Sequence, residues 1–230
     1  MPVLSKKFRW VSGLKPTRIY IETGSYRGEG IKHMLKRSQY EQIHSIELAE
    51  QWYEHCCQLF NGEPRVHLHH GNSKSKLPEV AGDYNEPITF FLDGHFSGRA
   101  EQFGDEETPL MDELEFIAAR QCVGDIVIID DCRMFGNTGK SGNGSEIWPI
   151  MTYDWRHITQ ETVSAKMKGF KMLDNAGGFY ADRAKDQIIF FLSENKRSIF
   201  STRIKDQLLR SILSTRRGLR KLIRRLSSPN

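Results

Sequence analysis

I-T-F-F-L-D-G-H, residues 88–95, is an apolar run that stops abruptly at the carboxylate of Asp93, and D-I-V-I-I-D-D, residues 125–131, repeats the pattern with Asp130 and Asp131. Short β-rich runs that are apolar on both faces mark strands buried in a parallel sheet. Working outward, R-I-Y-I-E (18–22), I-H-S-I-E (43–47) and R-V-H-L-H (65–69) read as further strands, separated by helical stretches such as 49–60 and 109–120. That alternation predicts an α/β domain with a parallel sheet under helices. Thr108 is expected to cap the second helix and Pro109 to occupy its first position. Near the end, G-G-F-Y-A-D-R-A-K-D-Q-I-I-F-F-L (177–192) sets a short polar connection between two apolar runs. It predicts a hairpin of the last two strands, and hence an antiparallel strand closing the sheet.

At 230 residues the chain suffices for one α/β domain with an uncross-linked core. No apolar run approaches the roughly 20 residues that span a bilayer, and no apolar stretch follows the basic N-terminus, so neither a spanning helix nor a secretion leader is read. Cys56, Cys57, Cys122 and Cys132 lack metal-finger spacing, and the vicinal pair is poorly suited to an internal bridge. Reduced thiols in a cytoplasmic protein are expected. Charge is uneven: of the net +4, residues 196–230 carry eleven Lys or Arg against Asp206 alone, or +10, which leaves −6 for residues 1–195. We therefore expect a catalytic domain over 1–195 and a basic tail over 196–230.

In an open α/β sheet the ligand crevice lies outside the carboxyl ends of the strands, so Asp93, Asp130 and Asp131 should face one site together with His95. Three carboxylates brought together raise one another's pKa unless a cation is present, and an all-oxygen set suits Mg²⁺ first. Each aspartate taken singly is equally compatible with a cap or a turn. The first strand leads into E-T-G-S-Y-R-G-E-G, with Gly24, Gly28 and Gly30 where a turn must approach a ligand closely, and Glu47 ends the next strand, where a carboxylate can accept ribose hydroxyls. The spacing differs from the G-x-G-x-x-G of dinucleotide sites, which disfavours a nicotinamide oxidoreductase.

E-T-G-S-Y-R-G (22–28), S-I-E (45–47), G-N-S (71–73) and L-D-G-H (92–95) resemble class I S-adenosylmethionine-dependent methyltransferases over about residues 17–192. With I-D-D (129–131) the pattern looks most like the metal-dependent O-methyltransferases of macrolide and aminocoumarin sugars. The resemblance implies a Rossmann-like, doubly wound, mostly parallel seven-stranded sheet with an antiparallel C-terminal strand and helices on both faces. It implies cofactor contacts at Glu22, Thr23, Gly24, Ser25, Tyr26 and Gly28, at Glu47 for the ribose, at Asn72 and Ser73 near the adenine, and at Asp93. Asp93, Asp130 and Asp131 would be ligands of a divalent ion, with Asp93 also counted among the catalytic residues. His95 stands where the relatives carry an aspartate base. Independently, an aliphatic hydroxyl needs its proton removed, a task that suits an imidazole.

The polar loop 98–108 follows the D-G-H turn as a candidate lid, and the glycine-rich loop 133–145 is expected to move and select substrate, with Arg133 available to an anionic group. H-L-H-H (67–70) puts His67 and His69 on one strand face without a third ligand, which disfavours zinc. The tail reads as a basic amphipathic helix suited to an anionic membrane surface, to the body or to a partner chain. Phe200 is its only aromatic residue, which disfavours nucleic acid. The competing reading from another class is a membrane- or nucleic-acid-binding module on a vestigial enzyme fold. The acceptor and any homo-oligomer are not legible.

Overall fold

The computed structural model describes residues 12–94, 108–142, 144–145, 150–174 and 187–194. In chain order these form β1 (Ile19–Thr23), α1 (Glu29–Leu35), β2 (Gln42–Glu47), α2 (Glu50–Leu59), β3 (Val66–His70), α3 (Ser73–Ala81), β4 (Ile88–Leu92), α4 (Leu110–Arg120), β5 (Ile126–Ile129), β6 (Thr138–Ser141), β7 (Met151–Asp154), α5 (Gln160–Lys166), β8 (Lys171–Asp174) and β9 (Ile188–Phe191). The main sheet runs β3-β2-β1-β4-β5-β9-β8. Its first five strands are parallel, and β9 lies antiparallel between β5 and β8. This Rossmann-like, doubly wound sheet of seven strands is the architecture that the resemblance to class I methyltransferases implies.

Both faces are covered because β4 and β5 are buried throughout, with Thr89 their one polar residue. Ile88, Phe90, Leu92, Val127 and Ile129 pack with Leu77, Leu114, Ile117 and Val163 of α3, α4 and α5. Phe91, Ile126 and Ile128 pack on the other face with Ile31 and Met34 of α1. Each such fully buried side chain contributes about 1.5–3 kcal/mol of hydrophobic stabilisation.

Several expectations need correction. Pro109, not Thr108, occupies the N-cap position of α4, while the Thr108 hydroxyl accepts from Leu110 N at 3.4 Å. The closing antiparallel pair exists, but its first strand is Lys171–Asp174, upstream of G-G-F-Y-A. Part of the expected loop 133–145 is β6, which pairs with β7 in a separate two-stranded sheet. There the Tyr153 ring covers Gly139, where an added Cβ would lie 2.7 Å from the phenol oxygen. His95, the lid 98–107 and the tail 196–230 lie outside the described residues.

Candidate active site

Four backbone hydrogen bonds lace the carboxyl ends of the five parallel strands into one rim. Gly71 N donates to Glu47 O, Gly24 N to Ile46 O, Asp93 N to Thr23 O and Asp130 N to Leu92 O, at 2.9–3.3 Å. Most of the predicted site residues stand on this rim or next to it. Thr23 and Gly24 touch Asp93 across β1 and β4, with Glu22 next to Thr23 along β1, and Gly71, which precedes Asn72 and Ser73, bonds Glu47 O.

Gly24 is required by geometry. Its φ is +86°, and an added Cβ would sit 2.5 Å from the Asp93 carbonyl oxygen. The turn after β1 and the exit of β4 thus touch backbone to backbone. The Asp93 amide also reaches Thr23 Oγ1 at 3.3 Å. Gly24→Ala combines left-handed backbone strain with an unyielding backbone overlap, and is expected to cost at least about 2 kcal/mol in urea denaturation.

Glu47 is buried, and its carboxylate accepts from Ala49 N (Oε1) and Tyr26 N (Oε2), both at 2.8 Å. The second bond holds Tyr26 at φ +45°. Burial pushes the Glu47 carboxyl up, opposed by these backbone donors. Asn72 caps α3, its Oδ1 accepting from Lys74 N at 2.9 Å, and Ser73 is buried in the first turn. Gly28, at φ +74°, leads into α1, and Phe60 occupies the space a Cβ there would need.

Glu22 is 1% exposed. It accepts from Tyr20 Oη at 2.9 Å and Ser45 Oγ at 2.8 Å, and Ser45 Oγ lies 2.6 Å from Ser25 Oγ. Burial pushes its carboxyl up to about 7, the two hydroxyl bonds opposing. Tyr20 and Ser45 were missed from the sequence. The usable signals were the i, i+2 relation along β1 and the Glu22–Ser45 register across to β2. Trp52, also missed, meets the Tyr26 ring edge-on at 4.6 Å, and the Arg27 guanidinium lies over both rings.

The three expected metal ligands are only partly gathered. Asp93 and Asp130 follow register partners Leu92 and Ile129 on adjoining strands. Asp131 instead turns into the left-handed region at φ +57° with its amide on Asp130 Oδ1, and its carboxylate is held by the Arg133 guanidinium. Among the described residues no group of three or more His, Cys, Asp or Glu is placed to hold a metal ion. The histidine run also differs from expectation. A third imidazole does stand beside His67 and His69: His44 stacks between them, with Nδ1 3.0 Å from His69 Nε2 and Nε2 2.9 Å from Tyr84 Oη. His44, His69 and Tyr84 line a pocket of about 520 Å³ with Lys76, Glu79 and Asp83.

No protein-family model and no curated protein matches the chain. Among solved structures it is similar to an S-adenosylmethionine-dependent methyltransferase from Clostridium acetobutylicum (10% identity, 80% of this chain and 87% of the other, TM-score 0.46). It is similar to an amino pentose methyltransferase of calicheamicin biosynthesis from Micromonospora echinaspora (12%, 79% and 85%, 0.46). It is also similar to spermidine synthase from Thermotoga maritima (10%, 81% and 56%, 0.46). At such identities and scores the function has to be argued from the site.

Proposed function

We propose that this protein is an S-adenosylmethionine-dependent O-methyltransferase. The observation that carries this reading is the rim itself, in which a glycine turn pressed against the exit of β4 is flanked by the buried carboxylates Glu22 and Glu47. Ligands of open α/β sheets bind at these carboxyl ends, where Glu47 would accept ribose hydroxyls and Asn72 and Ser73 would adjoin the adenine. When bound, S-adenosylmethionine supplies an electrophilic methyl group. The chain has then to hold an acceptor oxygen in line and take its proton, which we assign to His95 beside Asp93. A sugar or glycan hydroxyl as acceptor rests on the resemblance alone. A divalent ion held by Asp93, Asp130 and Asp131 would have to draw Asp131 away from Arg133. Among the described residues no helix is long and apolar enough to cross a membrane. Contact of the basic tail with an anionic membrane is a separate proposal, tested by vesicle sedimentation of the full chain against chain ending at Glu194.

The deciding test is calorimetric titration with S-adenosylhomocysteine, with and without Mg²⁺. We expect a Kd on the order of micromolar, about −8 kcal/mol, weakened at least about tenfold by Glu47→Ala. No binding under either condition would sink the reading. Binding indifferent to Mg²⁺, with turnover indifferent to chelator, would remove the ion and leave the methyltransferase.

A further inference from the structure

α4 buries Leu110, Glu113, Leu114 and Ile117, at the i, i+3, i+4, i+7 spacing of a core-facing stripe. The three apolar members join the core with β4 and β5, whereas Glu113 places an acid there at 1% exposure. An ionisable group in such a stripe costs the fold stability unless it is used. Service to the start of the helix does not explain it. Asp112, in the same first turn, is already there, partly exposed and paired with Lys74 of α3 at 3.1 Å. What lies against the carboxylate is more informative. A Cβ added to Gly94 would sit 3.4 Å from Glu113 Oε1 and 3.0 Å from Thr23 Oγ1. Glycine therefore leaves the turn after β4 open to the buried acid. The next residue in the chain is His95, about 3.8 Å further along the Cα trace.

Resting on the function proposed above, we propose that Glu113 is the positioning carboxylate for the base at residue 95, accepting one ring N–H of the imidazole and leaving the other nitrogen to face the acceptor hydroxyl. Such a partner fixes the tautomer and stabilises the imidazolium that forms on proton transfer. The acceptor's proton passes to the free ring nitrogen as its oxygen bonds the methyl carbon. The C–S bond breaks with its electron pair left on sulfur, and the imidazolium later yields the proton to water. Burial suits the acid to this task, because a carboxylate and an imidazolium attract far more strongly in a protein interior than in water. A side chain packed on a helix also holds its direction better than one on a loop. The elements around Glu113 bring Asp93 after β4, Asp130 after β5 and the ion pairs Lys74–Asp112 and Lys166–Glu115. Asp93 is the rival partner for the imidazole, and it differs from Glu113 in being partly exposed at the rim.

The test follows the imidazole itself and needs no acceptor. Ring signals of the full chain are titrated with pH by NMR, those of His95 being the ones lost in His95→Gln. The wild-type midpoint should lie at least about one pH unit above the ordinary value of about 6.5, with a single ring tautomer at higher pH. Glu113→Gln should bring the midpoint back by about one pH unit and mix the tautomers, and Glu113→Asp should keep part of the shift. A merely structural acid would lower stability in urea and leave the midpoint where it was. Calorimetry with S-adenosylhomocysteine on the same proteins keeps the two readings apart, since the wild type and Glu113→Gln should both bind it. A wild-type midpoint at or below about 6.5, or one unmoved in Glu113→Gln, overturns the inference and leaves the cofactor reading standing. A shift kept in Glu113→Gln and removed by Asp93→Asn gives the role to Asp93 and overturns it equally. Should Glu113→Gln fail to fold, the wild-type midpoint and Glu113→Asp decide. No binding of S-adenosylhomocysteine by the wild type overturns both.

Discussion

Glu22→Gln is expected to make the protein more stable at about pH 8, by up to about 3 kcal/mol, and to change little near pH 4.5. Glu22 is an acid whose carboxyl is raised from 4.5 to about 7 by burial. The folded state therefore holds its proton where the unfolded chain has already lost it. Stability from this group is fully present below the unfolded value and is lost as pH rises through the folded one. Two and a half pH units at about 1.4 kcal/mol each set the scale. Glutamine has no such titration, and the reversible hydroxyls of Tyr20 and Ser45 can partner its amide. Urea unfolding of the two proteins at several pH values checks it. A difference that stays constant with pH would show that Glu22 is ionised in the empty protein. Stabilisation bought by deleting a site residue is what a functional group kept at a cost to the fold should show.

Arg120→Ala is expected to do the opposite at the far end of the sheet, costing about 3–5 kcal/mol. The guanidinium is 9% exposed and its partner Asp125 is fully buried. It bonds Asp125 Oδ2 at 3.2 Å through Nε, the carbonyls of Ala81 and Tyr84 at 2.7 and 2.9 Å through Nη1, and that of Glu86 at 3.2 Å through Nη2. Asp125 Oδ1 meanwhile accepts from Ile88 N at 2.9 Å, so one ion pair fastens the end of α4 to the starts of β4 and β5. Truncation leaves a buried carboxylate uncompensated and three carbonyls short of a donor. Lysine is no substitute, because one ammonium cannot span that fan of acceptors. Thermal unfolding should show the loss, smaller at acid pH where Asp125 can take up a proton. Where the variant remains folded, ligand affinity at the opposite, carboxyl-end rim should be unchanged.

The parts of the fold legible beforehand are those whose signal is local. β5, and β4 apart from Thr89, are apolar runs with polar stops, and such runs have few alternatives inside a domain. β8, K-M-L-D, offers only Met172 and Leu173, and G-G-F-Y-A nearby was the louder signal. β6, T-G-K-S, has no apolar residue and exists through its pairing with β7 and the cover of Tyr153 over Gly139. The candidate site divides in the same way. Glu22, Gly24, Glu47 and Asp93 announce themselves as strand ends and a turn. The partners that give them their properties, Ser45 for Glu22 and Tyr26 N for Glu47, come from register and backbone hydrogen bonding. His44 beside His67 was hidden for that reason too. The Asp131–Arg133 pair depends on a left-handed aspartate, which the sequence D-D-C-R does not announce.

The position of β9 bears on how the chain is made. Residues 19–129 supply five parallel strands in order, yet the sixth place in the sheet is filled by Ile188–Phe191, some sixty residues later. Until that segment leaves the ribosome, β5 presents its unpaired N–H and C=O groups on four consecutive aliphatic residues, an open template for pairing with another chain. A nascent or prematurely terminated chain ending before Gln187 is therefore expected to aggregate more readily than the full chain, because β9 is what covers that edge.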